Sequence, residues 1–273
     1  MSNTALRVIS AFVMMALVVL IVYFGAKPSL VFVSLIGLLS LDEILIQFFE
    51  KSRKHFSYLL SLLSFIGVFY FFNFIEPSQH FFKIFTNAAI LFDILLLYFL
   101  FSKRVDKEFV IFVKDKIPIL AVLVMLLPLL SFSEVFHMNK WRALLFGALF
   151  SVFVVDTAAW FFGKNFGKHK LWPSVSPKKT IEGTVGGVLT STFVMSVYWW
   201  YFFENMTFQK IAIFFFLGCM AQVGDLTQSK VKRFFEIKDS SSLIPGHGGV
   251  YDRVDAFIFV APLYVAFLGY LIN

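Results

Sequence analysis

The sequence predicts an all-α, polytopic integral membrane protein with about nine transmembrane helices. Hydrophobic residues make up 59% of the chain and charged residues only 15%, whereas soluble domains carry about 25% charged residues. Apolar stretches of the length that crosses a bilayer as a helix recur from one end of the chain to the other. The lysines and arginines concentrate in alternate loops, as they do in multi-pass proteins.

Nine apolar stretches are candidates for helices that cross the hydrocarbon core, which takes about 20 residues. They are Val8–Phe24, Ser29–Phe49, Ser57–Phe74, Ile84–Phe101, Ile117–Phe136, Arg142–Phe162, Gly183–Phe203, Ile211–Gln228 and Val254–Ile272. The first follows Arg7, as the apolar core of a signal peptide follows a basic residue, but its small-residue cleavage pattern is poor. We therefore interpret it as a retained first span.

The basic residues predict which side of the membrane each loop occupies. If all nine stretches span, 19 of the 24 Lys and Arg residues fall on the side of the amino terminus. Cytoplasmic loops carry such an excess, so we expect a cytoplasmic amino terminus and Asn273 on the outer side. Contact with anionic membrane lipids explains the net charge of +7, and we expect no nucleic acid partner.

The chain divides loosely into three regions. We predict amino-terminal transmembrane helices over 1–101, a cytoplasmic linker and the fifth span over 102–140, and a carboxyl-terminal catalytic transmembrane region over 141–273. The linker Ser102–Lys116 carries charges of both signs, and we favour a solvated loop there over an amphipathic surface helix. The single cysteine, Cys219, excludes an intramolecular disulfide and a cysteine-based metal site.

The segment Gly224–Asp255 is the longest polar interruption in this apolar chain. Asp225 lies near the cytoplasmic end of the eighth span, and Asp252 and Asp255 lie at the start of the ninth, while Asp156 is near the cytoplasmic end of the sixth. Four aspartates are therefore predicted at one level. Burying unpaired carboxylates costs several kcal/mol each, which a divalent cation would offset. Hard oxygen ligands without cysteine favour Mg²⁺.

Basic residues accompany these carboxylates. If the eighth span continues as a helix, Asp225, Ser229, Lys232 and Arg233 form one stripe along it. A metal–phosphate complex needs these groups together, because carboxylates bind the metal and lysine and arginine bind phosphate oxygens. The sequence therefore predicts an active site for a phosphate-bearing substrate.

Two further segments have the composition of anion sites. The turn Pro245–Gly249 contains three glycines, whose N–H groups could cradle a phosphate, and His247, which could donate to one; an exposed loop histidine is the alternative. The segment Ser176–Thr180 has the pattern of a turn before a helix, which Glu182 and Gly183 would open. The loop that contains it is strongly basic through Lys164, Lys168, Lys170, Lys178 and Lys179.

Acidic residues also fall inside other predicted spans. Asp42 and Glu43 lie in the second and Asp93 in the middle of the fourth. Each could pair with a neighbouring helix or line a water-filled cavity. We favour structural pairing for all three.

Together these residues carry a specific resemblance to one family. The long signature of the CDP-diacylglycerol synthases, also called phosphatidate cytidylyltransferases, is matched by Ser229–Arg233, Lys238, Asp239, Pro245, His247–Gly249 and Asp252–Asp255. The resemblance extends to Gly224–Leu226, Ser176–Thr180, Glu182-Gly183 and Asp156-Thr157, and so covers about 150–273. The amino-terminal half is similar to the family only in being hydrophobic and multi-span.

The resemblance implies an enzyme that makes CDP-diacylglycerol and pyrophosphate from CTP and phosphatidate in phospholipid biosynthesis. Members of the family depend on Mg²⁺, and a K⁺ ion shares the metal centre with it. They are helical membrane proteins that form homodimers. We accordingly expect a multi-pass protein of the cytoplasmic (inner) membrane, with its active site on the cytoplasmic side.

The resemblance also implies roles for individual residues. Asp225 and Asp252 match the metal ligands of the family. The further residues expected in catalysis are Asp255, Lys232, Arg233, Lys238, Asp239 and His247. The residues expected to bind substrate are Asp156, Ser176, Lys178, Lys179, Thr180, Glu182, Ser229, Gly248, Gly249 and Arg253. The chain departs from many members at Trp160, where they have Tyr, and this difference could alter the fit of lipid or nucleotide.

Other functions compatible with the sequence are a related CTP-using enzyme that acts on an archaeal ether lipid, and one that phosphorylates a polyprenol. A cation transporter or channel with in-membrane aspartates is a third, although the polar groups gather at one side of the membrane and do not continue across it. A non-catalytic scaffold would leave the matching polar positions without an explanation.

Overall fold

The computed structural model describes residues 3–102, 107–246 and 248–272. Within them the chain forms ten α-helices and one two-stranded hairpin. The elements are α1 (Asn3–Phe24), α2 (Ala26–Glu43), α3 (Phe56–Tyr70), α4 (Gln79–Phe101), α5 (Lys107–Lys116), α6 (Ile119–Ser133), α7 (Trp141–Phe166), β1 (Lys170–Trp172), β2 (Ser176–Thr180), α8 (Ile181–Phe203), α9 (Phe208–Phe234) and α10 (Tyr251–Ile272).

Seven helices of the described chain are long and apolar enough to cross a membrane. They are α2, α3 and α6 with short extensions, together with α4, α7, α9 and α10. The prediction of an all-α, polytopic membrane protein is confirmed. α1 and α8, of 22 and 23 residues, occupy the places of the predicted first and seventh spans, and the count of nine stays a prediction.

The bundle is built around α6 and α10. Of their most apolar windows 67% and 61% are buried, compared with 22% for α4, so α4 presents most of its surface outward. Large aromatic side chains fill the interior, and their polar groups donate hydrogen bonds to neighbouring helices. Trp199 donates to the carbonyl oxygen of Leu271 at 2.8 Å, and Tyr264 donates to that of Leu144 at 2.9 Å. These bonds tie α7, α8 and α10 together.

Two helices end in a π-helical turn. α2 continues as a π-helical turn over Ile44–Phe48, and α3 does so over Phe71–Ile75. π-Helical turns occur frequently at functional sites. The first of them directly follows the acidic pair Asp42-Glu43.

The linker after α4 forms the short helix α5 where the solvated loop was favoured. Its mixed charges explain the difference, because they pair with charged residues just after the π-helical turn of α2. Lys114 contacts the carboxylate of Glu50, and Lys51 Nζ lies 3.9 Å from Oδ1 of Asp115. Residues 103–106 of the predicted linker lie outside the described residues.

α9 continues as a helix beyond Gln228, the predicted end of the eighth span, to Phe234. The condition for a stripe of polar residues along this helix is therefore met. Lys230, on the same extension, fixes the end of α4. Its Nζ donates to the carbonyl oxygens of Phe99, Leu100 and Ser102 at 2.8, 2.7 and 2.7 Å, which lie where a helix end leaves carbonyls without intrahelical donors.

Replacing Lys230 with methionine is expected to lower the free energy of unfolding by about 2 kcal/mol, because hydrogen bonds from charged donors contribute about 1.5–3 kcal/mol and those at one ammonium do not add. Thermal unfolding of the detergent-solubilised protein measures the change. Lys54→Met, which removes an exposed lysine, is the matched control. Equal unfolding temperatures for the two variants would contradict the assignment.

Candidate active site

A buried lysine joins two aspartates where α9 meets α10. Lys232 Nζ lies 3.0 Å from Oδ1 of Asp252 and 2.8 Å from Oδ2 of Asp255. The side chains of Lys232, Asp252 and Asp255 are 12%, 4% and 11% exposed. Because the two aspartates are three residues apart on one helix, both face α9. With both carboxylates ionised, one ammonium between them leaves this group with net negative charge.

Asp252 also organises the segment between the two helices. Its Oδ2 accepts hydrogen bonds from the backbone N–H groups of Ser240 at 2.8 Å and Gly249 at 3.0 Å. Asp255 Oδ1 accepts one from the N–H of Ala256 at 2.7 Å. Both carboxylates are therefore held in a defined orientation by the backbone around them.

A second lysine–aspartate pair connects the hairpin with α9. Lys179 on β2 places Nζ 2.5 Å from Oδ2 of Asp225 and 3.3 Å from Oε1 of Gln222. Gln222 in turn donates from Nε2 to Oδ1 of Asp156 on α7 at 3.5 Å. Ser229 donates from Oγ to Oδ1 of Asp225, also at 3.5 Å. The hairpin thus places the ammonium group of Lys179 on Asp225 of α9 and, through Gln222, connects it with Asp156 of α7.

The two pairs form one electrostatic cluster. Asp156 interacts electrostatically with Asp225, Lys179, Asp255 and Arg253. The structure therefore brings together the four aspartates that the sequence placed at one level. Lys179 and Lys232 offset only part of their negative charge, and a cation from solution would balance more of it.

A polar cavity of about 550 Å³ lies beside the cluster. Its lining residues are Lys238, Asp239, Ser241, Ser242, Ile244, Gly246, Gly248 and Arg253. Gly246 and Gly248 have φ of 76° and 83°, in the left-handed region that glycine adopts without strain. A Cβ at Gly248 would lie 2.8 Å from Oδ2 of Asp252, so the cavity wall and the carboxylate cluster are in direct contact.

The hairpin itself was not predicted. The sequence indicates a turn over Ser176–Thr180 before a helix, but these residues form β2, antiparallel to β1, with Lys170 opposite Thr180. The helix begins at Ile181, and Thr180 caps it by accepting from the N–H of Gly183 at 3.2 Å. The extended strand carries Lys179 to Asp225.

Several predicted site residues have other neighbours. Glu182 accepts from His169, whose Nδ1 lies 2.6 Å from Oε1 of the glutamate. Arg233 is exposed and donates to the carbonyl oxygen of Ile237 at 3.3 Å. Lys178 is exposed, and Ser176 is half-buried at the start of β2. His247 lies outside the described residues.

Sequence reasoning missed two residues that the site uses. Gln222 links Lys179 to Asp156 and lies one turn before Asp225 on α9, so helical spacing could have identified it. For Glu43 the sequence predicts structural pairing or a place in a cavity wall, without a link to this site. Its carboxylate instead accepts hydrogen bonds from the segment that surrounds Asp252.

Gly249 has no room for a side chain. A Cβ there would collide with Oγ of Ser240 and the carboxylate of Glu43. We expect Gly249→Ala to cost about 1–3 kcal/mol of stability, as overpacking does, and to reduce turnover. Gly67→Ala, where a Cβ meets nothing within 4 Å, is the control. Paired measurements of unfolding temperature and activity test this, and a normal Gly249→Ala variant would contradict it.

The donor set fits a hard divalent cation. The acidic oxygens of Asp225 and Asp252 are of the type that Mg²⁺ prefers, and Mg²⁺ usually binds one or two carboxylates together with water and substrate phosphates. In the described residues no group of three His, Cys, Asp or Glu side chains could hold a metal ion by itself.

Comparison with known proteins gives a consistent picture. The chain matches the model of the cytidylyltransferase family over residues 5–271. Proteins named phosphatidate cytidylyltransferase from Staphylococcus aureus and Staphylococcus saprophyticus are 44% and 45% identical over 117 residues, 42% of this chain and 45% of each relative. One from Staphylococcus epidermidis is 46% identical over 123 residues, 45% of this chain and 47% of the relative. The chain thus matches about half the length of these curated relatives.

Proposed function

Because this chain belongs to the cytidylyltransferase family, we propose that it makes CDP-diacylglycerol and pyrophosphate from CTP and phosphatidate. An oxygen of the lipid phosphate forms a bond to the α-phosphorus of CTP. The bond from that phosphorus to the oxygen bridging the β-phosphorus breaks, and pyrophosphate leaves. A phosphate monoester is largely ionised at pH 7, so the attack needs positioning and charge stabilisation more than a strong base.

The observation that best supports this proposal is the position of the charged cluster. Asp252, Asp255 and Lys232 lie at the junction of two apolar helices and directly beside a polar cavity. A lipid phosphate stays at the depth of the membrane surface, and a nucleotide arrives from water. A buried cluster of this kind at the end of membrane helices is placed where both can reach it.

We assign the triphosphate of CTP to the cavity. Its volume of about 550 Å³ lies in the range of about 300–1,000 Å³ that is usual for small-molecule sites. Lys238 and Arg253 line it and would offset phosphate charge. Lys179 and Lys232, which are paired with aspartates, would add positive charge at the reacting phosphates.

Mg²⁺ is the proposed cofactor, with K⁺ in the same centre, and Asp225 and Asp252 would hold it. Bound Mg²⁺ neutralises charge on the phosphates and so lowers the barrier to transfer. Asp252 is kept in place for this role by the N–H groups of Ser240 and Gly249. Asp225 is kept in place by Lys179.

We also propose a cellular location and an oligomeric state for the enzyme. The excess of Lys and Arg in alternate loops supports an amino terminus and an active site on the cytoplasmic side of the inner membrane. The family resemblance supports a homodimer. Membrane lipids would then be both solvent and source of substrate.

Product analysis with a panel of acceptors tests the function. Purified protein with CTP and Mg²⁺ is incubated with phosphatidate, an ether-lipid acceptor or a polyprenol, and pyrophosphate and CDP are measured. We expect pyrophosphate with phosphatidate. CDP released with the polyprenol would indicate a kinase, and ion flux in proteoliposomes without lipid turnover would indicate a transporter; either result would overturn the proposal.

A further inference from the structure

A buried glutamate from the amino-terminal half of the chain lies under the active-site segment Ser240–Tyr251. Glu43, the last residue of α2, is 4% exposed. An unpaired buried carboxylate would cost several kcal/mol of folding free energy. The hydrogen-bond partners of Glu43 therefore indicate its role.

Among the residues that the structure describes, the hydrogen-bond donors to Glu43 come from the active-site segment. Oε2 accepts from Oγ of Ser240 at 2.7 Å and from the N–H of Tyr251 at 2.9 Å. Oε1 accepts from Oγ of Ser241 at 2.6 Å and from the N–H of Val250 at 2.9 Å. Each carboxylate oxygen thus receives one hydroxyl and one backbone donor from residues about 200 positions away in the sequence.

Glu43 and Asp252 hold this segment jointly. Ser240 gives its N–H to Asp252 and its hydroxyl to Glu43. Gly249 gives its N–H to Asp252, and a Cβ on it would collide with Glu43. The next two N–H groups, of Val250 and Tyr251, point to Glu43. The two carboxylates therefore divide the donors of one short segment between them.

The position of Glu43 also has an electrostatic effect. Tyr251 is the first residue of α10, so the carboxylate lies at the helix end where free N–H groups carry partial positive charge. A negative charge stabilises such a helix start. The same helix start carries Asp252 and Asp255.

We propose that Glu43 is a positioning residue of the active site, which fixes the described residues of the segment Ser240–Tyr251 and thereby orients Asp252 and the cavity wall. It touches neither substrate nor metal in this role and acts through the segment. Asp42, the preceding residue, has different partners, because its carboxylate accepts from Arg53 at 2.9 Å and contacts the Tyr58 hydroxyl.

The proposal distinguishes a carboxylate from an amide of the same shape. In Glu43→Gln one oxygen becomes an NH₂ group, which then faces a backbone N–H that can only donate. At least one of the amides of Val250 and Tyr251 loses its acceptor, and the helix start loses its negative charge. Asp42→Asn removes a charge at the neighbouring position without touching this segment, and is the matched control.

The first test is amide hydrogen exchange of the substrate-free protein, followed in peptides that contain Val250 and Tyr251. We expect exchange to be at least about tenfold faster in Glu43→Gln and unchanged in Asp42→Asn. Ser241→Ala, which deletes one donor to Oε1, should give a smaller effect in the same direction. Wild-type exchange rates in Glu43→Gln would overturn the proposal, whatever reaction the protein catalyses.

The second test is kinetic and depends on the proposed function. For Glu43→Gln we expect kcat/KM for CTP to fall about 10–100-fold, the usual effect of losing a residue that orients a site, with a raised KM for CTP. Loss of folded enzyme alone would lower kcat and leave KM unchanged. Equal kinetic losses in Glu43→Gln and Asp42→Asn would overturn the positioning role. An inactive wild-type protein would count against the proposed function and leave the exchange result standing.

Discussion

Asp252→Asn is expected to lower kcat/KM for CTP by about 10²–10³-fold, the loss typical of removing a charge that stabilises a transition state. Asparagine keeps the volume of the side chain and an oxygen that can accept from Ser240 and Gly249. Its amide group would instead face the ammonium of Lys232, where the native carboxylate oxygen lies 3.0 Å away. The fold should persist while the negative charge is lost.

Initial rates of the purified variant in mixed micelles, at saturating phosphatidate, measure this effect. Asp115→Asn is the matched control, because Asp115 is 64% exposed and its carboxylate lies 3.9 Å from the ammonium of Lys51. We expect the control to behave as wild type. More than a tenth of wild-type activity in Asp252→Asn would contradict the role assigned to this carboxylate.

Lys232→Met has the second large expected effect, on both stability and activity. It leaves Asp252 and Asp255 facing each other without the ammonium that contacts both. Removing one partner of a buried ion pair typically costs about 3–5 kcal/mol, because an uncompensated charge remains. Turnover should fall at least about 100-fold, since the variant also loses the positive charge that we propose acts on the reacting phosphates.

A double variant separates the two effects. Adding Asp255→Asn to Lys232→Met removes one of the two unpaired carboxylates and should recover part of the unfolding temperature, while activity stays low. The single and double variants form a thermodynamic cycle whose coupling reports the Lys232–Asp255 contact. Additive losses of stability would contradict a shared buried cluster.

Much of the architecture can be predicted from the sequence, because membrane helices are recognised by the length and apolarity of their segments. α9 continues to Phe234, which meets the condition under which Asp225, Ser229 and Lys232 share one face of a helix. The convergence of aspartates follows from their shared depth in three helices. These are local or periodic patterns, and they can be recognised in the sequence before the fold is known.

Other features depend on contacts that no local pattern encodes. The strand β2 contains Pro177 and two lysines, a composition that does not indicate a strand, and it forms by pairing with β1. The hydrogen-bond donors to Glu43 are backbone groups and serines about 200 positions away in the sequence. Arg233 continues the basic run of α9, yet at the end of the helix it faces outward.

The fate of each phosphate of CTP tests the central claim most directly. Purified protein is incubated with phosphatidate, Mg²⁺ and CTP labelled with ³²P at either the α or the γ position, and the lipid and aqueous phases are counted. The account predicts that the α label enters the lipid as CDP-diacylglycerol and that the γ label leaves as pyrophosphate. Transfer of the γ label to lipid, or no transfer of the α label, would contradict it.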